Sequence, residues 1–295
     1  PGFRPYEYGE AAMGSLFIGI CNRHSSVKFE NAIPMGGKSV PGESAVLRIE
    51  NGAAGPTPML NRKPFFFTCF TIHPYIPERT IPTGMEGHDS PVNVIAARFG
   101  GNGASENWWY GPDQYDYNAV DRSINTLLAR FPGCKLAIYV WCHPGNWYRK
   151  VYPDRLSLME DGSQYNYYVA AVNFAHPEVR RDQEKAVADL VRHLEKYFGN
   201  RTILYNLMGG ISCEWQGWAA HTDQYADYSA FGIRDFEAYA AKNGITTQGV
   251  PSRELREATM DGIFRSPEKD AVAILYDKYY SETIAECIDG IAKTI

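Results

Sequence analysis

PEVRRDQEKAVADLVRHLEKYFGNRTILYNLMGG, residues 177–210, decides the fold. Its first part alternates charge with a stripe at helical spacing. Ala186, Val187, Leu190, Val191 and Leu194 fall on one face, and Pro177 sits where a first helical residue belongs. Gly199-Asn200 stops the helix. TILYNLM (202–208) then runs apolar without alternation and ends at Gly209-Gly210. Such a run suits a strand covered on both faces, as in a parallel sheet packed under helices.

Three earlier runs have the same character. They are FFFTCFTI (65–72), VNVIAARF (92–99) and KLAIYVW (135–141), each bounded by Gly or Pro. AVDRSINTLLARF (119–131) places Val120, Ile124, Leu127, Leu128 and Phe131 at helical spacing. Residues 228–244 and 271–295 read as two further helices, the first stopping at Asn243-Gly244. Strand and helix alternate, so the fold class is α/β with a parallel sheet. Four strands in this order make either half of a (β/α)8 TIM barrel or a small doubly wound sheet. No GxGxxG or GxxxxGK[ST] follows a strand, which removes the usual nucleotide signatures. The Pro/Gly-rich 73–91 crossover does not read as a helix.

Residues 1–60 are Gly- and Pro-rich with short β-like runs, SLFIGI, SVKFE and SAVLRIE. They read as a small N-terminal β-rich appendage. Residues 61–295 then form the barrel part, with an insertion after the fourth strand at about 215–270.

The 295 residues are 44% hydrophobic and carry a formal net charge of −5. That supports a sizeable core and argues against nucleic acid as a partner. No stretch reaches 18 uncharged apolar residues, so no membrane span is expected. The opening PGFRPYEYGEAAMG lacks a basic-then-apolar pattern, and the compartment stays open. The 6 cysteines are scattered and have no metal-ligand spacing. They read as free thiols. No His/Cys/Asp cluster suggests a metal. The 20 Tyr, 14 Phe and 6 Trp are the compositional outlier, many of them in polar loops. Flat rings there suit sugar faces, or simply pack the loops onto the core.

In barrels of this type chemistry gathers at the carboxyl ends of the strands. The second run delivers Arg98 and a following loop with Trp108 and Trp109. The third delivers His143 and Trp147. The fourth delivers Glu214, Trp215 and Trp218. Glu214 stands between a thiol and an indole, a partly desolvated setting that favours the protonated form a general acid needs. Its structural alternative is an ion pair with an arginine such as Arg98. His143 is a sugar-hydroxyl ligand or a loop histidine capping backbone beside Pro144. Trp147 and Trp215 stack a sugar or plug the barrel mouth, and Trp109 is a further substrate-binding candidate.

RTILYNLMGGISCEW, with the helix before it, resembles the fourth βα unit of clan-A (β/α)8 glycoside hydrolases. The resemblance is to β-galactosidase-like members akin to glycoside hydrolase family 42. WWYGPDQYDYNAVDRSINTLLARFPGCKLAIYVWCHPGNWYRKVYPD resembles the preceding unit. The likeness covers about residues 60–295. It implies a retaining glycosidase acting on an oligosaccharide or glycoside, with Glu214 as acid/base and no metal or organic cofactor. On this reading the strand-end residues Arg98, His143, Trp147, Trp215 and Trp109 shape the substrate subsite. Many clan members have Asn before the acid, where this chain has Cys213. Their nucleophile ends the seventh strand, and four strands are read here, so no residue takes that role. The other half of the barrel would lie on further sequence or another chain, or the half-barrel would pair with itself. The rival reading is a non-catalytic carbohydrate-binding or self-assembling half-barrel.

Overall fold

The structure is a computed structural model that describes residues 45–52, 55–71, 86–99, 108–165, 169–210, 215, 217–218, 225–257 and 265–295. The runs SLFIGI and SVKFE, and the candidate acid Glu214, lie outside the described residues.

The elements begin with a three-stranded antiparallel sheet, β1 (Leu47–Gly52), β2 (Gly55–Leu60) and β3 (Lys63–Pro64). Leu47 pairs with Leu60, and Leu60 with Lys63. The SAVLRIE run thus supplies a strand.

A four-stranded sheet follows in the order β4 (Cys69–Thr71), β5 (Val94–Phe99), β8 (Lys135–Trp141), β9 (Thr202–Met208). Between β5 and β8 run a two-stranded hairpin, β6 (Trp109–Gly111) and β7 (Gln114–Tyr115), and helix α1 (Asn118–Arg130). β4 and β5 pair in parallel, Cys69 against Val94 and Thr71 against Ala96. Lys135 N–H bonds Asn93 O, so the starts of β5 and β8 meet. Leu136 N–H bonds Arg201 O and Cys142 N–H bonds Met208 O, so β8 and β9 climb together. Helix α2 (Trp147–Val151) and the long α3 (Pro177–Phe198) separate β8 from β9. Each strand adds on the same side of the last, with no reversal of order. A doubly wound sheet reverses at its switch point. This sheet does not, and it is a partial (β/α) barrel of four strands that does not close among the described residues.

The expected FFFTCFTI strand is shorter than its apolar run. Residues 65–68 do not join the ladder. Asn93 holds them instead, its Nδ2 donating to Phe66 O at 2.9 Å and its Oδ1 accepting from Thr68 N–H at 2.8 Å. Phe66 is 75% exposed.

The chain divides into two compact units. One comprises residues 1–98, 124–139 and 194–206. Its core includes Val94, Ile95, Ile124, Phe131, Leu136, Ile138, Leu194 and Phe198. Arg201 fastens a turn there by donating to Pro132 O and Cys134 O. The other unit comprises residues 99–123, 140–193 and 207–295. It holds helices α4 (Ala230–Lys242), α5 (Arg253–Glu257) and α6 (Ala271–Thr294). Phe236 and Ala240 of α4 pack on Leu275, Tyr276 and Tyr279 of α6. Ser229 caps α4, its Oγ accepting from Gly232 N–H at 3.0 Å.

Candidate active site at two strand ends

The side chains of this site belong to the second unit, and Arg98 and Tyr139 to the first. The carboxyl end of β8 runs from Trp141 into Cys142, His143 and Pro144, all buried. The carboxyl end of β9 runs into Gly209 and Gly210, also buried. Gly210 adopts φ +63°, the left-handed region that favours glycine. Gly209 has a different reason. A Cβ there would stand 2.7 Å from the Trp215 ring. The indole folds back over the glycine and donates from Nε1 to Leu207 O at 2.8 Å.

His143 lies between the two ends and is 3% exposed. Its Nε2 accepts the Gly210 N–H. Its Nδ1 lies 2.8 Å from the amide Nε2 of Gln183, which also donates to Cys142 O at 3.0 Å. Burial lowers the His143 pKa to about 3, so the imidazole is neutral. Rings enclose it: Trp215 at 5.3 Å, Trp218 at 5.1 Å and Phe174 at 5.5 Å between centroids. Trp218 is 1% exposed and donates to Val172 O at 2.8 Å. Trp215 is half-buried and keeps part of its surface open.

Trp109 and Trp147 form another aromatic group. Their rings meet edge-on at 5.6 Å, and Trp147 Nε1 donates to Trp109 O at 3.0 Å. Tyr148 and Tyr152 complete the group. Tyr148 Oη donates to Asp182 on α3 at 2.8 Å, and Arg155 reaches the same carboxylate at 2.9 Å. Trp109 is 3% exposed, its ring covered by Trp108, Trp147 and Tyr148. Trp147 is half-buried.

Of the expected site residues, His143 and Trp215 come together, and so do Trp109 and Trp147. Arg98 is half-buried on β5 in the first unit. Burial pushes the Tyr139 phenol there up to about 12, and Arg98 acts against that shift. Glu214 lies outside the described residues, directly before Trp215 in sequence.

Gln183 and Phe174 are absent from the sequence-derived set. Gln183 had a signal: it is polar yet stands three and four before Ala186 and Val187 of the apolar stripe of α3. Phe174 lies in a loop and carries none. A buried carboxylate, Asp227, organises the insertion. It accepts from Ser229 N–H at 2.8 Å and Leu158 N–H at 3.2 Å. Burial raises its pKa to about 6 despite those bonds. Among the described residues no group of three His, Cys, Asp or Glu could hold a metal ion. No described helix is long and apolar enough to cross a membrane.

No protein-family model matches the sequence, and no curated protein matches it. Solved structures do. One is a β-galactosidase from Bacillus circulans sp. alkalophilus, with TM-score 0.49 and 11% identity over 69% of this chain and 30% of that one. A second is Gan42B, a GH42 β-galactosidase from G. stearothermophilus, with TM-score 0.46 and 9% identity over 69% and 29%. A third is a GH36 α-galactosidase from Geobacillus stearothermophilus, with TM-score 0.30 and 8% identity over 68% and 23%. The chain thus spans about 30% of the length of the β-galactosidases it is similar to.

Proposed function

We propose that this chain is the part of a retaining, β-galactosidase-like glycoside hydrolase that carries the acid/base, Glu214. The observation that carries the reading is the built exit of β9. Gly210 is held by His143, and Trp215 is pinned to Leu207 O. Glu214 is bonded directly to that pinned, half-buried tryptophan. A carboxyl group at the carboxyl end of a (β/α) barrel strand is where such folds place chemistry. An indole beside it offers an apolar face to a sugar ring.

In a retaining mechanism one carboxyl group protonates the leaving oxygen. A second carboxylate attacks the anomeric carbon, and the first then deprotonates the incoming water. Glu214 takes the first role. The nucleophile is assigned to no residue of this chain. Trp215 and Trp147, both half-buried, contribute open aromatic surface.

The test is Glu214→Ala in the natural protein at full length, assayed on aryl glycosides. Loss of a general acid costs about 10²–10⁴-fold where the leaving group needs a proton. Activated leaving groups lose much less in kcat/KM, although their kcat still falls because the second step lacks its base. Wild-type turnover of natural glycans by the variant ends the assignment.

The rival reading is a sugar binder without turnover, favoured by the same half-buried Trp147 and Trp215. Calorimetric binding of oligosaccharides together with no hydrolysis supports the rival. Hydrolysis that depends on Glu214 removes it.

A further inference from the structure

We propose that Arg155 is a positioning residue for sugar binding: its guanidinium, stacked on Tyr152 and bonded to Asp182, holds the Trp147 ring as a platform for a galactosyl unit. This deepens the glycoside hydrolase reading and rests on its claim that a β-galactoside meets the half-buried tryptophans. All of the residues involved lie in the second unit.

Helix α2 cannot direct Trp147 by itself. It has 5 residues, and Asn146 before it provides no side-chain cap. A helix so short is not stable on its own backbone bonds. Trp147, its first residue, is therefore aimed by its neighbours. Its Nε1 donates to Trp109 O at 3.0 Å. Its ring meets Tyr148 at 5.3 Å and Tyr152 at 6.4 Å, both edge-on. One ion pair ties these two tyrosines to the long helix α3. Arg155 lies 3.9 Å over the Tyr152 ring and donates to Asp182 at 2.9 Å. Tyr148 Oη donates to the same carboxylate oxygen at 2.8 Å. Tyr148 is 0% exposed and is held by packing as well. Tyr152 is half-buried, so it is the ring that depends on Arg155. A planar guanidinium can stack on a ring while its edge bonds a carboxylate. A lysine ammonium is a compact point charge and cannot do both in one pose.

Arg155→Lys is the test, because Asp182 and Glu178 remain to pair the lysine while the stacking is lost. The probe is thio-linked β-1,4-galactotetraose, which resists hydrolysis, titrated calorimetrically into the natural protein at full length. Trp147→Ala should weaken binding roughly 2- to 10-fold, about the worth of one aromatic contact. Arg155→Lys should lose most of the same factor. In the Trp147→Ala background it should add nothing, an outcome that a merely structural role does not give. Indole N–H exchange supplies a readout without sugar. The Trp147 N–H should exchange faster in Arg155→Lys, while that of Trp218, which donates to Val172 O, should hold as the internal control.

Wild-type affinity in Arg155→Lys, a loss that is the same with and without Trp147, or an unchanged Trp147 exchange rate overturns the proposal and leaves Trp147 as a platform. No binding by the wild type, or wild-type affinity in Trp147→Ala, overturns the platform and the proposal together. Binding that depends on Trp147 and Arg155, alongside a fully active Glu214→Ala protein, sinks the acid/base assignment and leaves this proposal standing.

Discussion

At the residue scale two buried titratable groups pull stability in opposite directions with pH. His143 stays neutral down to about pH 3, whereas an unfolded histidine titrates near 6.5. Between those values the unfolded chain binds the extra proton. The His143 contribution is therefore full above about pH 6.5 and is lost as pH falls toward 3. Asp227 is the reverse case. Its pKa of about 6 lies above the unfolded value near 3.9. Its contribution is full below about pH 4 and is lost as pH rises through 6. The two slopes overlap between about pH 4 and 6 and partly cancel, so wild-type melting alone hides them. Melting temperatures of His143→Gln and Asp227→Asn against pH separate them. The first should flatten the acid limb and the second the fall between pH 4 and 6. Unchanged profiles contradict the buried placements. Gly209→Ala supplies a steric test. The new methyl lands 2.7 Å from the Trp215 ring, so the indole must move and its bond to Leu207 O must stretch or break. Overpacking of this kind costs about 1–3 kcal/mol, read as a lower melting temperature with altered tryptophan fluorescence.

At the element scale, periodicity did most of the prediction. The helix expected over 177–198 spans Pro177–Phe198, and the strand expected over 202–208 spans Thr202–Met208. Both carry long, unambiguous patterns. The hairpin at β6 and β7 reads as loop in the sequence, because its strands have 3 and 2 residues and no period can show in so few. The 65–72 run was read as all strand, because composition cannot reveal that Asn93, 25 and 27 positions away, takes the backbone groups of Thr68 and Phe66. The site was legible to a similar degree. Strand ends pointed to His143 and Trp215. Burial of Trp109 was invisible, since its cover comes from Trp108, Trp147 and Tyr148 through tertiary packing. Helix α3 makes a prediction of its own. Leu190 is 0% exposed in its stripe, so Leu190→Ala should destabilise by about 2–5 kcal/mol, measured by denaturant unfolding. Gln183→Leu keeps the size but leaves Cys142 O and the His143 Nδ1 without their partner. An unmade buried hydrogen bond costs about 1–3 kcal/mol, so this variant should also be less stable, although its helix gains an apolar side chain.

At the scale of the whole molecule, the sheet order and the exit of β9 belong together. β4, β5, β8 and β9 add in one direction, the winding of a barrel. Among the described residues β4 and β9 each have one neighbour in the sheet. An edge strand is a template for further pairing, so the 295-residue chain expressed alone should self-associate or bind further barrel sequence. Sedimentation that shows a stable, soluble monomer contradicts that expectation. Catalysis is a separate matter, since it turns on one carboxyl group and on what that group protonates. The most direct measurement is the ratio of wild-type to Glu214→Ala kcat/KM, which reads the glycosylation step, in the full-length protein across a series of aryl glycosides. The account predicts a ratio that grows from near unity with activated leaving groups to about 10²–10⁴ with poor ones. A ratio that stays flat across the series contradicts it.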